Sequence, residues 1–178
     1  MKELILKLIL IFGLTLGLEG QSIYKFFIGV QPDITREIKY NDEKAFSVNV
    51  LPLVAQYYFN NEITLRFSSI MNLQSNMWEF SNLGAQLGMP VYLFAERTNW
   101  IEGFFAAPVF GFSHNLLTVS NEITCALEPG YSWRLENGFS MNLGFQLGAT
   151  YFTAQDENHG WRNHSGIKFS LGYTFCSR

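Results

Sequence analysis

A chain of 178 residues has room for one domain and little more. Charged residues make up only 15% of it, against roughly 25% in an ordinary soluble domain, while Phe, Tyr and Trp together make up 16%. The net charge of −3, with no basic block to neutralise a run of phosphates, excludes a nucleic-acid binder, and a mean hydropathy of +0.06 is too polar for a bundle of membrane helices.

Residues 1–20 read as an export signal peptide. Lys2 and Lys7 lie in the basic start, Leu8 to Leu18 is the apolar stretch, and Thr15, Gly17 and Gly20 supply small residues for cleavage before Gln21. The apolar stretch is shorter than the ~18 residues of a spanning helix. No cysteine follows it, as a lipoprotein signal would need. The mature chain, 21–178, is expected to be one domain.

Eight strand-like segments then follow: residues 22–30, 45–59, 62–72, 81–95, 101–112, 122–135, 139–153 and 165–175. In the second, the apolar phase changes from Phe46, Val48 and Val50 to Leu51, Leu53 and Ala55, which predicts a bulge beside Pro52. Alternation is clearest in the last two. Phe139, Met141, Leu143, Phe145 and Leu147 share one face, and Ile167, Phe169, Leu171, Tyr173 and Phe175 another, each against Gly, Ser, Asn, Gln, Thr or Lys. A soluble sandwich or lipocalin-like barrel would put Lys and Glu on its polar faces. Small polar residues instead suit the cramped lumen of a narrow barrel with lipid outside. The reading is therefore all-β: a single eight-stranded antiparallel up-and-down transmembrane β-barrel.

The connections predict its orientation. Asn60-Asn61, 96–99 and 136–138 read as tight turns, and 31–44, 73–80, 113–121 and 154–164 as longer polar loops. Outer-membrane barrels carry short turns on the periplasmic side, which would place both mature termini there. Tyr57, Phe59, Trp100, Trp133, Tyr173 and Phe175 lie near that end, as a periplasmic aromatic girdle would.

The run Asn49 to Arg66 resembles the second hairpin of small outer-membrane β-barrel domains, related in pattern to the OmpW and OmpA transmembrane families. Ile167 to Phe175 likewise resembles the terminal signature read by the outer-membrane assembly machinery, although Cys176, Ser177 and Arg178 extend past the aromatic. The resemblance spans all eight segments as a pattern. It implies a bacterial outer-membrane location and assembly through that machinery, and it implies no active site.

Four sets of residues invite chemistry. Lys25, Arg66, Glu128, Arg134 and Lys168 fall on small-polar faces, with Glu102 beside Arg134, and predict a charge network that plugs the lumen; a selective pore is the alternative. Pro52, Pro90, Pro108 and Pro129 fall inside strands, where they predict kinks or a lateral gate. Ser113 with His114, and His159 with His164, Ser165, Asp156 and Glu157, are the only local nucleophile-and-base combinations, and they match no enzyme motif. Two His without a third ligand do not make a metal site, so no metal or other cofactor is expected. Cys125 and Cys176 fall at opposite ends of the barrel, too far apart to bridge.

These readings converge on a non-enzymatic, monomeric outer-membrane protein with a plugged lumen. Its loops at 33–44 and 154–164 would meet lipopolysaccharide or an extracellular partner. The alternative is handling of lipid or a small hydrophobic ligand through the Pro-kinked wall, including lipid A modification.

Overall fold

The computed structural model describes residues 24–38, 44–60, 62–75, 78–93, 103–135, 137–154 and 159–176; the expected export signal lies outside them. Among the described residues there are strands and turns and no helix. The strands are β1 (Tyr24–Val30), β2 (Asp33–Ile38), β3 (Lys44–Asn49), β4 (Leu53–Tyr58), β5 (Thr64–Gln74), β6 (Glu79–Gly88), β7 (Val91–Tyr92), β8 (Gly103–Asn115), β9 (Ser120–Arg134), β10 (Phe139–Ala154) and β11 (His159–Cys176). All pairings are antiparallel, and they run in a ring: β1 with β4, then β5, β6, β8, β9, β10, β11 and back to β1.

Prolines account for the short strands. β1 and β2 lie end to end on β11 in one register, Val30 facing Leu171 and Asp33 facing Lys168, with Gln31-Pro32 between. β6 and β7 do the same on β8, Gly88 facing Val109 and Val91 facing Ala106, with Met89-Pro90 between. β3 and β4 differ. Asn49 faces Asn72 and Val54 faces Ser68, so five steps on one strand match four on the other. That one-residue bulge lies at Pro52, where the apolar phase changes.

At four of these positions the proline carbonyl still accepts across the ladder. Phe169 donates to Pro32 at 3.0 Å, Gln31 to Pro52 at 2.5 Å, Thr64 to Pro90 at 3.0 Å and Met89 to Pro108 at 3.0 Å. Proline has no N–H to return the bond. Each break is therefore a one-way bond rather than a parted seam. At Pro129 the β9–β10 ladder pairs Gly130 with Gly144 and Leu127 with Leu147, in one register, with no pair between.

Several expected loops are strands instead. β2 occupies most of the first half of 31–44, β6 begins at Glu79, β8 runs through Ser113 to Asn115, and β11 begins at His159, leaving only Leu116 to Val119 as a turn within 113–121. The short turn expected at 96–99 lies outside the described residues. The physical reason for the additional strands is that polarity marked these stretches as solvated loops, whereas their polar side chains turn into the ring.

That inversion governs the whole molecule. Gln56, Thr64, Ser68, Gln86, Ser132, Asn142, Gln146 and Ser170 are buried in the interior. Phe26, Ile28, Phe67, Leu83, Phe110, Leu127, Leu147 and Ile167 are exposed outside. Among the described residues, 36 large hydrophobic side chains are exposed, and the buried apolar cluster holds seven residues: Phe27, Val54, Tyr58, Tyr92, Phe105, Ala107 and Val109.

Candidate functional site

The interior is built from strand parity. Even residues of β9 point inward, bringing Glu122, Glu128 and Arg134 to successive levels six residues apart, roughly 20 Å each along the strand. On β11 the same spacing places Arg162, Lys168 and Thr174.

At the level nearest the termini, Arg134 donates from Nη2 to the Tyr58 hydroxyl (3.1 Å) and the Thr174 hydroxyl (3.4 Å), and from Nε to Ser140 (3.2 Å). Its guanidinium stacks 5.4 Å from the Tyr58 ring centroid. The apolar cluster lies beside it, with Tyr92 and Phe105 rings 5.7 Å apart and Gln56 donating to the Tyr92 hydroxyl at 3.1 Å.

Glu128 is the hub of the middle level and is fully buried. Arg66 Nη2 lies 2.7 Å from its Oε2, and Gln146 Nε2 donates to the same oxygen at 2.7 Å. Gln146 Nε2 also reaches Gln86 Oε1 at 3.2 Å, and Gln146 Oε1 accepts from His164 Nε2 at 3.1 Å. Lys168 donates to Gln86 Oε1 and lies 3.9 Å from Asp33 Oδ2. Gly144 makes room for the hub, since a Cβ there would sit 2.5 Å from Glu128 Oε1.

At the far level Glu122 accepts from Arg162 (2.5 Å), Asn82 (2.8 Å) and Asn115 (3.1 Å). Asp33 accepts from Asn49 at 3.2 Å and Thr35 at 3.4 Å. A cavity of about 50 Å³ opens here, room for a few waters.

The structure thus brings Arg66 and Glu128 together and places Arg134 and Lys168 in the same interior. Glu102 and Trp100 lie outside the described residues, as does the side chain of Lys25. Ser113 and His114 do not come together as a nucleophile-and-base pair. Ser113 is buried inward, whereas His114 points to the other face and bonds Asn121 at 3.0 Å. His159 is exposed and His164 turns inward to Gln146, so they sit on opposite faces; Asp156 and Glu157 lie outside the described residues. Cys125 is a free, exposed thiol level with Phe110 and Ala149, whereas Cys176 pairs with Tyr24.

Sequence reasoning missed Pro32, Asp33, Gln86, Glu122, Gln146 and Arg162. Apart from Pro32, which is exposed between β1 and β2, their common signal is inward parity on a strand, readable for Asp33 and Arg162 only once 33–38 and 159–164 are taken as strand rather than loop. Of the girdle, Tyr57 packs edge-on against Phe59 (5.3 Å), Tyr173 against Phe175 (5.2 Å), and Trp133 against Tyr131 (4.7 Å). No protein-family model matches the chain, and no curated protein sequence matches it.

Proposed function

We propose that the chain is an integral bacterial outer-membrane protein, an eight-stranded antiparallel up-and-down barrel with a closed lumen and no enzymatic activity. The eight staves are β1 with β2, β3 with β4, β5, β6 with β7, β8, β9, β10 and β11. The observation that carries this reading is the inverted side-chain distribution. Leaving so many half-exposed Phe, Leu, Ile and Val side chains in water forgoes tens of kcal/mol at roughly 1.5–3 kcal/mol for each one fully buried, well beyond the ~5–15 kcal/mol net stability of a domain. Lipid around the ring removes that cost.

Two aromatic belts support the same reading. Tyr57, Phe59, Trp133, Tyr173 and Phe175 mark the end that holds the termini, and Tyr151 packed on Trp161 at 5.2 Å marks the other. From Trp161 to Tyr173 β11 spans roughly 40 Å at ~3.3 Å per residue, or about 30 Å along the membrane normal at ~40° tilt, a match to the hydrocarbon core. With an even stave count both mature termini face the periplasm. The opposite rim then meets lipopolysaccharide or an extracellular partner, and assembly uses the machinery that reads Ile167 to Phe175.

Expression of the full chain in a Gram-negative host tests this. The protein should fractionate with outer membranes and migrate differently on gels before and after boiling. Its fluorescence should be quenched by lipids brominated on their acyl chains, and planar bilayers should record no stable openings. Recovery as an unquenched, water-soluble protein would overturn the membrane reading; stable openings would overturn the closed lumen.

A second reading, lateral handling of a lipid or small hydrophobic ligand, rests on the unpaired stretch of the β9–β10 ladder at Pro129. Uptake of a fluorescent fatty acid, lost in Pro129→Thr, would favour it.

A further inference from the structure

We propose that the outer face of the wall, where β2 meets β11, holds a membrane lipid that carries a phosphate monoester. The phosphate sits at Arg36 and the acyl chains lie on the apolar side chains next to it. Arg36 is exposed and shares the outward parity of Ile34, whereas Asp33 and Thr35 are buried. Among the described side chains it is the one charged group at an outward strand position between the two aromatic belts. It faces Ser165 on β11 and Phe46 on β3, and Asn163, also exposed, lies two residues farther along β11 on the same face. On the side toward the termini Ile34, Val48 and Ile167 are exposed in adjacent register.

The wall parts at the same place. The β2–β11 ladder ends at Arg36 and Ser165, while β11 runs on to His159 along β10 and β2 runs on to Ile38 along β3. Arg36 and Asn163 also line the interior cavity, which therefore reaches the outer face at this seam. The charges decide the ligand class. Glu128 is matched by Arg66, Glu122 by Arg162 and Asp33 by Lys168, so Arg36 has no carboxylate partner among the described residues. A guanidinium on a lipid-facing wall is costly unless it meets an anion or reaches the headgroups. Ser165 lies four residues from Trp161, roughly 13 Å along the strand and about 10 Å along the membrane normal at ~40° tilt. From that depth an Arg stem covers apolar surface while its head rises to the phosphate level. Guanidinium and phosphate form paired, charge-assisted hydrogen bonds, and the Asn163 amide and Ser165 hydroxyl supply further donors. A zwitterionic lipid brings its own ammonium beside the phosphate, and free phosphate brings no chains for Ile34, Val48 and Ile167. The inference rests on the membrane reading.

The test uses the full chain in phosphatidylcholine vesicles and follows tryptophan fluorescence, with Trp161 as the exposed reporter beside the site. Phosphatidic acid brominated on its acyl chains is added in increasing mole fraction, and brominated phosphatidylcholine is the reference. Phosphatidic acid should quench more, saturably, with a preference of roughly tenfold, the worth of one charge-assisted hydrogen bond. The excess should vanish in W161F, fall to near parity in R36Q, and survive millimolar sodium phosphate. Migration on gels before and after boiling checks that each variant is folded, and R36M replaces R36Q if the latter does not assemble. Equal quenching by the two lipids would overturn the site and leave the membrane reading standing. An excess that persists in W161F or in the folded Arg36 variant, or that sodium phosphate abolishes, would also overturn the site. Absence of quenching by either lipid would overturn the membrane reading and the site with it.

Discussion

Replacing Glu128 with Ala removes the acceptor that Arg66 and Gln146 share at 2.7 Å each. Arg66 is 3% exposed and has no second ion-pair partner among the described residues, so its guanidinium would stay buried over Phe105, 6.0 Å from the ring centroid, without a counter-charge. Breaking one side of a buried pair costs about 3–5 kcal/mol, because the stranded charge is what is expensive. Removing both partners strands nothing, so Arg66→Met with Glu128→Ala should cost far less than the sum of the two single changes. The assay is urea unfolding in lipid vesicles, followed by tryptophan fluorescence, as a double-mutant cycle. The E128A midpoint should fall by that amount and the double variant should recover most of it. A loss below about 1 kcal/mol for E128A, or strict additivity in the cycle, would refute the hub.

Other changes probe the wall. Gly29→Ala places a Cβ 2.1 Å from the Leu171 carbonyl oxygen, which forces β1 off β11; urea unfolding should report a loss of about 1–3 kcal/mol. Val119 holds φ at 47°, a left-handed conformation that a β-branched residue tolerates poorly. Val119→Asn should therefore raise stability by about 1 kcal/mol in the same assay. Pro129→Thr restores an N–H facing β10 and should gain about 0.5–1.5 kcal/mol, with new exchange protection in native-state hydrogen exchange at residue 129.

Much of the wall was legible in the residues. Alternation through 139–153 and 165–175 placed Phe145 and Ile167 outside and Lys168 inside, and the phase change at Leu51 marked the bulge at Pro52. The interior was less legible, for one physical reason. Polarity normally means solvent, so the charged stretch from Asp33 was read as a surface loop, whereas Asp33 is 6% exposed and faces Lys168 across the β2–β11 ladder. Ser113 and His114 looked like chemical partners because they are neighbours in sequence; adjacent strand residues point to opposite faces. Partners such as Gln86 and Gln146, sixty residues apart, meet only because the ring closes, which no local pattern encodes.

Ring closure has a consequence for how the protein comes to exist. β11 is the last of the described strands, yet it is the keystone: it joins β10, β1 and β2, and brings Cys176 beside Tyr24 across more than 150 residues of sequence. Until it arrives, β1 and β10 are open sheet edges, the kind that pair with other molecules. Contacts of such long sequence separation also form slowly. A chain truncated before His159 would therefore lose more than one strand of the ring. It would be left as an open, greasy sheet, competent to aggregate and unable to enclose its own polar interior.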